Sequence, residues 1–224
     1  MDYTVPQGKI YGGTTEKPNG SFVNSNYIKY TAEDQISGVT SFYVKKPEEE
    51  TFSTFSDSTT FTAEGKYEFY SVDRAGNESE HLIIILDKTK PNGKLYGGLA
   101  EMEDGATTNA ENVKYTAEDS VSGLAQCYVK IPGQNKFETY ISDTQLSVDG
   151  VYEFYSVDRA GNESKHLTIM LDKTKPTGIL VANDETVSSG KYTNASFIKF
   201  ISSDGVSGIA AVYVKKPGEE TYSA

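Results

Sequence analysis

The 224 residues carry 21 basic and 32 acidic side chains, giving a net charge of −11 and a pI near 4.7. Such a surface repels phosphate backbones and anionic head groups, which argues against nucleic acid and membrane surfaces as partners. No apolar run approaches the roughly 20 residues that span a bilayer, so no membrane insertion is expected, and the single cysteine excludes an internal disulfide framework.

An 85-residue unit organises everything else. Tyr67-Glu68-Phe69-Tyr70-Ser71-Val72-Asp73-Arg74-Ala75-Gly76-Asn77-Glu78-Ser79 returns letter for letter as Tyr152 to Ser164, and Leu86-Asp87-Lys88-Thr89-Lys90-Pro91 returns as Leu171 to Pro176. Lys29 to Asp34 returns as Lys114 to Asp119 and more loosely as Lys199 to Asp204. Self-similarity at a fixed period marks an array of like modules. The expected domains are residues 1–86, 87–171 and a partial third repeat, 172–224, the last having no counterpart of the Tyr67 to Leu86 segment. The chain reads as a piece of a longer array, with any secretion signal outside it. The truncated repeat is expected either to pair its edge with another chain or to be poorly ordered.

Short alternating runs, separated by Gly, Asn, Asp and Pro, predict an all-β chain of tandem immunoglobulin-like antiparallel β-sandwiches with about seven strands per repeat. In the second repeat strands are expected over 94–96, 112–117, 125–131, 136–140, 145–148, 151–157 and 166–172. Period-two alternation turns Ile28, Tyr30 and Ala32 inward, matched by Val113, Tyr115 and Ala117 and by Ile198, Phe200 and Ser202. Phe42 and Val44 follow the same rule, as do Cys127 and Val129, then Val212 and Val214. Cys127 therefore reads as a small core residue. Phe52, Phe55 and Phe61 return as Phe137, Tyr140 and Leu146, keeping apolar character.

Gly65-Lys66-Tyr67-Glu68-Phe69 reads as a corner into the sixth strand, where the Tyr67 hydroxyl ties back to nearby backbone while its ring fills the core; Tyr152 repeats it. Tyr70 and Tyr155 then lie on the outer face with Tyr43 and Tyr128, either as cross-strand partners or as ligand contacts. Asp73 to Asn77 is a hairpin turn in which Asp accepts a local N–H and Gly76 supplies φ > 0; Gly161 repeats it. The Asp87 to Pro91 joint has no Gly/Ser tract. Pro91 and Pro176 end one sheet's pairing and set the path into the next repeat, so the joint is expected to be short and stiff.

Catalytic chemistry finds no foothold. His81 and His166 occupy one repeat position with no nearby cysteine, adjacent strand residues face opposite ways, and nothing is expected to orient the imidazole. There is no nucleophile elbow, phosphate loop or spaced carboxylate pair. No cofactor is expected. Calcium is the alternative considered, at Glu33-Asp34, Asp73, Asp87 and Glu101-Met102-Glu103-Asp104, but no stretch matches a dedicated calcium loop and a solvated turn is sufficient reason for these residues. A Lys to Asn crosslink involving Asn24, Asn109 or Asn194 is outweighed by a turn or cap role.

Asp34-Gln35-Ile36-Ser37-Gly38, the Asp73-x-Ala-Gly-Asn turn and the Asp87-x-Thr-x-Pro joint, in that order and spacing, resemble the tandem bacterial immunoglobulin-like (Big-type) repeats of large surface proteins and adhesins. The resemblance implies a non-enzymatic, extracellular spacer that extends a distal adhesive or catalytic domain from a bacterial envelope or secreted protein. Its partners would be neighbouring repeats of the same chain. The alternative function is a module that binds glycan or host protein through Tyr43, Tyr70, Tyr128 and Tyr155.

Overall fold

A computed structural model of the chain describes residues 1–142 and 144–224. The first repeat contains β1 (Gln7–Gly12), β2 (Thr15–Lys17), β3 (Ser21–Val23), β4 (Ile28–Glu33), β5 (Val39–Lys45), β6 (Ser53–Phe55), β7 (Gly65–Asp73) and β8 (Leu82–Leu86). The second contains β9 (Asn92–Gly97), β10 (Ala100–Met102), β11 (Ala106–Thr108), β12 (Val113–Glu118), β13 (Leu124–Lys130), β14 (Glu138–Tyr140), β15 (Gly150–Asp158) and β16 (Leu167–Leu171). The third contributes β17 (Thr177–Ala182), β18 (Glu185–Val187) and β19 (Ile198–Ser203). No helix forms among the described residues.

Each complete repeat is an immunoglobulin-like sandwich of a three-stranded and a five-stranded sheet. The orders are β2-β1-β4 and β3-β8-β7-β5-β6 in the first repeat, and β10-β9-β12 and β11-β16-β15-β13-β14 in the second. One pairing departs from the expected all-antiparallel arrangement: β3 runs parallel to β8, and β11 parallel to β16. The chain leaves the first sheet after the β1–β2 hairpin and crosses to the edge of the second, where it travels in the same direction as the last strand. The segment expected as a strand over 145–148 contributes only a bridge between Val113 and Leu146, and 100–102 and 106–108 form short strands not anticipated from sequence.

Alternation decides which face is buried. β7 and β15 share one burial pattern, with Tyr67, Phe69, Ser71 and Asp73 buried on the inner face and their copies Tyr152, Phe154, Ser156 and Asp158 in the same places. Ile10, Val23, Ile28, Tyr30, Val44, Phe61, Tyr67, Phe69, Ile84 and Leu86 make the first core. The Tyr67 hydroxyl donates to the Ala63 carbonyl at 2.9 Å, and the Tyr152 hydroxyl to Val148 at 2.8 Å. A stacked pair, Tyr30 on Phe69 with centroids 5.4 Å apart, spans the sandwich, and Tyr115 on Phe154 repeats it at 5.2 Å.

The chain divides into two compact units: Met1–Gly93 with Thr116–Tyr128 and Tyr155–His166, and Lys94–Tyr115 with Val129–Phe154 and Leu167–Ala224. The first contains the whole of the first sandwich. The second contains the aromatic core of the second repeat and all of the third, whose three strands form the sheet β18-β17-β19. Lacking a facing sheet, that third piece leaves Ile198 and Phe200 exposed, although their counterparts Ile28 and Tyr30 are fully buried.

Candidate functional site

Three aspartates in each complete repeat converge at the end of the sandwich where the joint enters. Asp87 comes from the joint, Asp119 from the loop after β12 and Asp158 from the end of β15. Each offers a carboxylate oxygen, and the three oxygens lie within 4.8 Å of one another. Asp2, Asp34 and Asp73 form the same cluster in the first repeat. Asp87 and Asp158 are 0% and 2% exposed, and Asp73 is 1% exposed.

Each carboxylate is positioned by local backbone. Asp119 Oδ1 accepts the N–H groups of Val121, Ser122 and Gly123 at 2.9–3.1 Å, as Asp34 Oδ1 does from Ile36, Ser37 and Gly38 and Asp204 Oδ1 from Val206, Ser207 and Gly208. This is the local bonding that makes Asp a turn former. Asp87 Oδ1 takes the Thr89 N–H at 2.9 Å and its Oδ2 the Ser122 N–H at 3.1 Å. Asp158 accepts both the backbone and side-chain N–H groups of Asn162 at 2.8 Å, and Asp73 does the same with Asn77. Burial pushes the Asp73 carboxyl up, but the Asn77 bonds outweigh it and hold the group below the ordinary carboxylate range. Backbone N–H groups likewise hold Asp204 down. In the turn, Gly76 and Gly161 take φ of 89° and 91°, where a side chain would be strained.

The sequence reading named Asp34, Asp73 and Asp87 but divided them between repeats, and it passed over Asp2, Asp119 and Asp158. Aligning the repeats gives the signal that assembles them, since Asp2, Asp87 and Asp172 share one position, Asp34, Asp119 and Asp204 a second, and Asp73 and Asp158 a third. Glu101 and Asp104 lie elsewhere: Glu101 pairs with Lys94 at 3.3 Å, and Asp104 accepts the Thr168 N–H at 2.8 Å.

The joint itself is gripped from both sides. On the preceding side, Glu64 accepts the Lys88 N–H and the Thr89 hydroxyl, while Lys88 Nζ donates to the Thr62 carbonyl at 2.8 Å. Asp149 and Ser147 hold Lys173 and Thr174 in the same way at the next joint. On the following side, Asn162 donates to the Asp87 carbonyl at 3.0 Å, beside the Ser122 bond to Asp87. Ser207 gives the corresponding bond to Asp172 at 3.0 Å. Pro91 is buried at the start of β9 and Pro176 is exposed immediately before β17.

The outer-face aromatics form a second constellation. Tyr43 and Tyr70 sit directly opposite on β5 and β7 and stack at 4.7 Å, with His81 stacked on the other face of Tyr70 at 4.5 Å. Tyr128, Tyr155 and His166 repeat the ladder at 4.8 and 4.5 Å. Phe52, expected in the core, instead meets Tyr70 and His81 edge-on, because it lies one residue before β6 and therefore on the face opposite to Phe55. Lys45 lies over Phe52 and pairs with Glu68 at 2.8 Å; Lys130 lies over Phe137 and pairs with Glu153.

The imidazole is oriented after all, by Glu68 on β7 and by Glu78, three residues before it. His81 Nδ1 lies 2.8 Å from Glu68 and Nε2 2.8 Å from Glu78. Burial pulls the His81 pKa down, but the two carboxylates outweigh it and hold the value above the ordinary 6.5. Both ring nitrogens are committed to carboxylates. Burial raises the Cys127 thiol pKa, which suppresses its thiolate.

No protein-family model matches the chain, and no curated protein matches it by sequence. Among solved structures it is similar to the fibronectin(III)-like modules of CbhA from Clostridium thermocellum, which are 15% identical, with 74% of this chain and 94% of that chain covered and a TM-score of 0.33. A likeness that loose carries no argument.

Proposed function

We propose that the chain is a non-catalytic spacer, a run of immunoglobulin-like repeats that holds a distal adhesive or catalytic domain away from a bacterial surface or within a secreted protein. The observation that supports it is the doubly gripped joint. Lys88 and Thr89 are bonded to the repeat they leave, Asp87 to the repeat they enter, and the first of these arrangements recurs at Lys173 and Thr174. A passive linker has no need of such bonds. A spacer that must transmit distance does, since each bond removes a rotational freedom that a Gly/Ser linker would keep.

The alternative, recognition of glycan or host protein by the outer-face tyrosines, is less well supported. A ring that stacks on a sugar must offer a free face, and Tyr70 has one face on Tyr43 and the other on His81.

Small-angle scattering of the chain tests the spacer. At roughly 30–40 Å per repeat, from strands of about eight residues plus loops, the maximum dimension should reach about 80–100 Å. A radius of gyration near the roughly 17 Å of a compact globule of this length would refute it.

A further inference from the structure

Of the chain's 21 basic residues only two are arginine, Arg74 and Arg159, and they occupy one repeat position. The hairpin turn does not require a guanidinium there, because it uses only the backbone of that residue: the Arg74 N–H donates to the Gly38 carbonyl at 3.1 Å and the Arg159 N–H to Gly123 at 3.0 Å. What arginine offers beyond lysine is a planar, weakly hydrated cation that lies well against an aromatic face. Arg159 has such a face beside it. Its Cζ lies 6.0 Å from the centroid of the Phe22 ring, a cation–π distance.

The two copies of the turn can be compared directly. Residues 67–79 and 152–164 are identical in sequence, so a difference between them comes from what lies against them. A Cβ placed on Gly161 would stand 3.7 Å from Asn24 Nδ2, whereas one placed on Gly76 would meet nothing within 4 Å. Ala160 is half-buried, while its copy Ala75 is exposed. The element that makes the difference is β3, the outer strand of the first repeat's five-stranded sheet. Val23 is in the core, and Phe22 and Asn24, one residue to either side of it, alternate outward. Strand and turn belong to one compact unit, which contains Met1–Gly93 and Tyr155–His166.

We propose that the outer side of β3 in the first repeat is a docking surface for the turn after β15 in the second, with Phe22 seating Arg159 and Asn24 meeting Gly161. The contact is separate from the hydrogen bonds of the joint and joins the bodies of the two repeats directly. It is also particular to one joint. The position of Phe22 is Thr107 in the second repeat and Tyr192 in the third, whereas Asn24 keeps its identity as Asn109 and Asn194. Thr107 has no π face, so a turn docking on β11 lacks the cation–π contact, which at an exposed site changes the docked population about two- to five-fold. One outward residue of a short edge strand therefore sets how firmly each joint is held, while the turn that docks on it is copied unchanged. That consequence for stiffness rests on the spacer reading; the docking does not.

Nuclear magnetic resonance of the intact chain tests the docking, with the two arginines as an internal comparison. The ring current of Phe22 should displace the side-chain proton signals of Arg159 upfield of those of Arg74, despite their identical flanking sequence. Phe22→Thr should abolish that difference, and Phe22→Tyr should keep it. Arg159→Gln should move the backbone amide signals of Phe22 and Asn24 and leave those of Thr107 and Asn109 in place, while Arg74→Gln should move neither pair. The Arg159 variant leaves β3 untouched, so it stands as the test if Phe22→Thr disturbs the first sandwich. Coincident arginine signals in the parent overturn the docking, as do β3 signals that ignore Arg159→Gln or respond equally to Arg74→Gln. Coincident signals in a chain that scatters as an extended particle would remove the docking and leave the spacer standing. Separated signals in a compact particle would do the reverse, so the two failures are distinguishable.

Discussion

Tyr30 shows how a single residue sets its neighbours' identities. Its ring stacks on Phe69 at the centre of the first core, and its hydroxyl lies 3.1 Å from Ser71 Oγ and 3.2 Å from Ser79 Oγ, all three buried. Ser79 Oγ also accepts the Ser71 N–H at 2.9 Å. Two serines in an otherwise apolar interior are therefore accounted for by one phenol. Tyr30→Phe should cost about 1 kcal/mol, since Ser71 Oγ loses a buried partner while Ser79 keeps its backbone bonds. Urea unfolding measures this; an unchanged midpoint would mean the hydroxyl network contributes nothing net. The third repeat has Phe200 at the same position, where no such partners are required. The serines were visible in the repeated segment from Tyr67 to Ser79, but their partner was not, because 41 and 49 residues separate them from Tyr30.

At the scale of the element, β7 is where both faces of the five-stranded sheet acquire their character. Inward it supplies Tyr67, Phe69, Ser71 and Asp73; outward it supplies Glu68 and Tyr70, which meet Lys45, Tyr43 and His81. The Lys45 bond, followed by the His81 bond, keeps the Glu68 carboxyl below its ordinary range. His81 carries the opposite shift, upward from 6.5. Its folded pKa is raised above the unfolded value, so its contribution is fully present below pH 6.5 and is lost as pH rises through the folded value. The unfolding midpoint should therefore fall as pH rises above 6.5 and through the folded value, and His81→Gln should flatten that slope. A midpoint that is flat in the parent would show that the carboxylates hold the ring neutral and do not hold its proton. Sequence alternation placed Tyr43 and Tyr70 on the outer face; it did not show that His81 would cap the stack, because the pairing of β7 with β8 decides that.

For the whole molecule, the copying of one sandwich means that each feature is written at least twice and must make sense at every copy. The third repeat tests this by omission. It carries the β17–β19 sheet but no equivalent of β7 and β8, and Ile179, Phe197, Ile198, Phe200 and Ile201 are left between 46% and 66% exposed. An apolar sheet without a cover, Ile198 and Phe200 on one face and Ile179 and Ile201 on the other, should bind a hydrophobic dye. A chain ending at Pro176 should lose that dye fluorescence and keep the unfolding temperature of the parent, because both complete cores lie before residue 172. A fall in that temperature would show that the third repeat supports its neighbour.

The sequence alone determined the period, the all-β class, the inward faces of the long strands, the tyrosine corner and the place of the joints. These depend on local alternation and turn chemistry, which neighbouring letters carry. Tertiary structure alone decided that β3 runs parallel to the last strand, that Phe52 turns outward, that two glutamates orient His81, and that aspartates from joint, loop and turn come together. Those outcomes depend on which strands and side chains meet in space, and such meetings leave no periodic trace in the chain, whether the partners are 75 residues apart, as Asp87 and Asn162 are, or three, as His81 and Glu78 are.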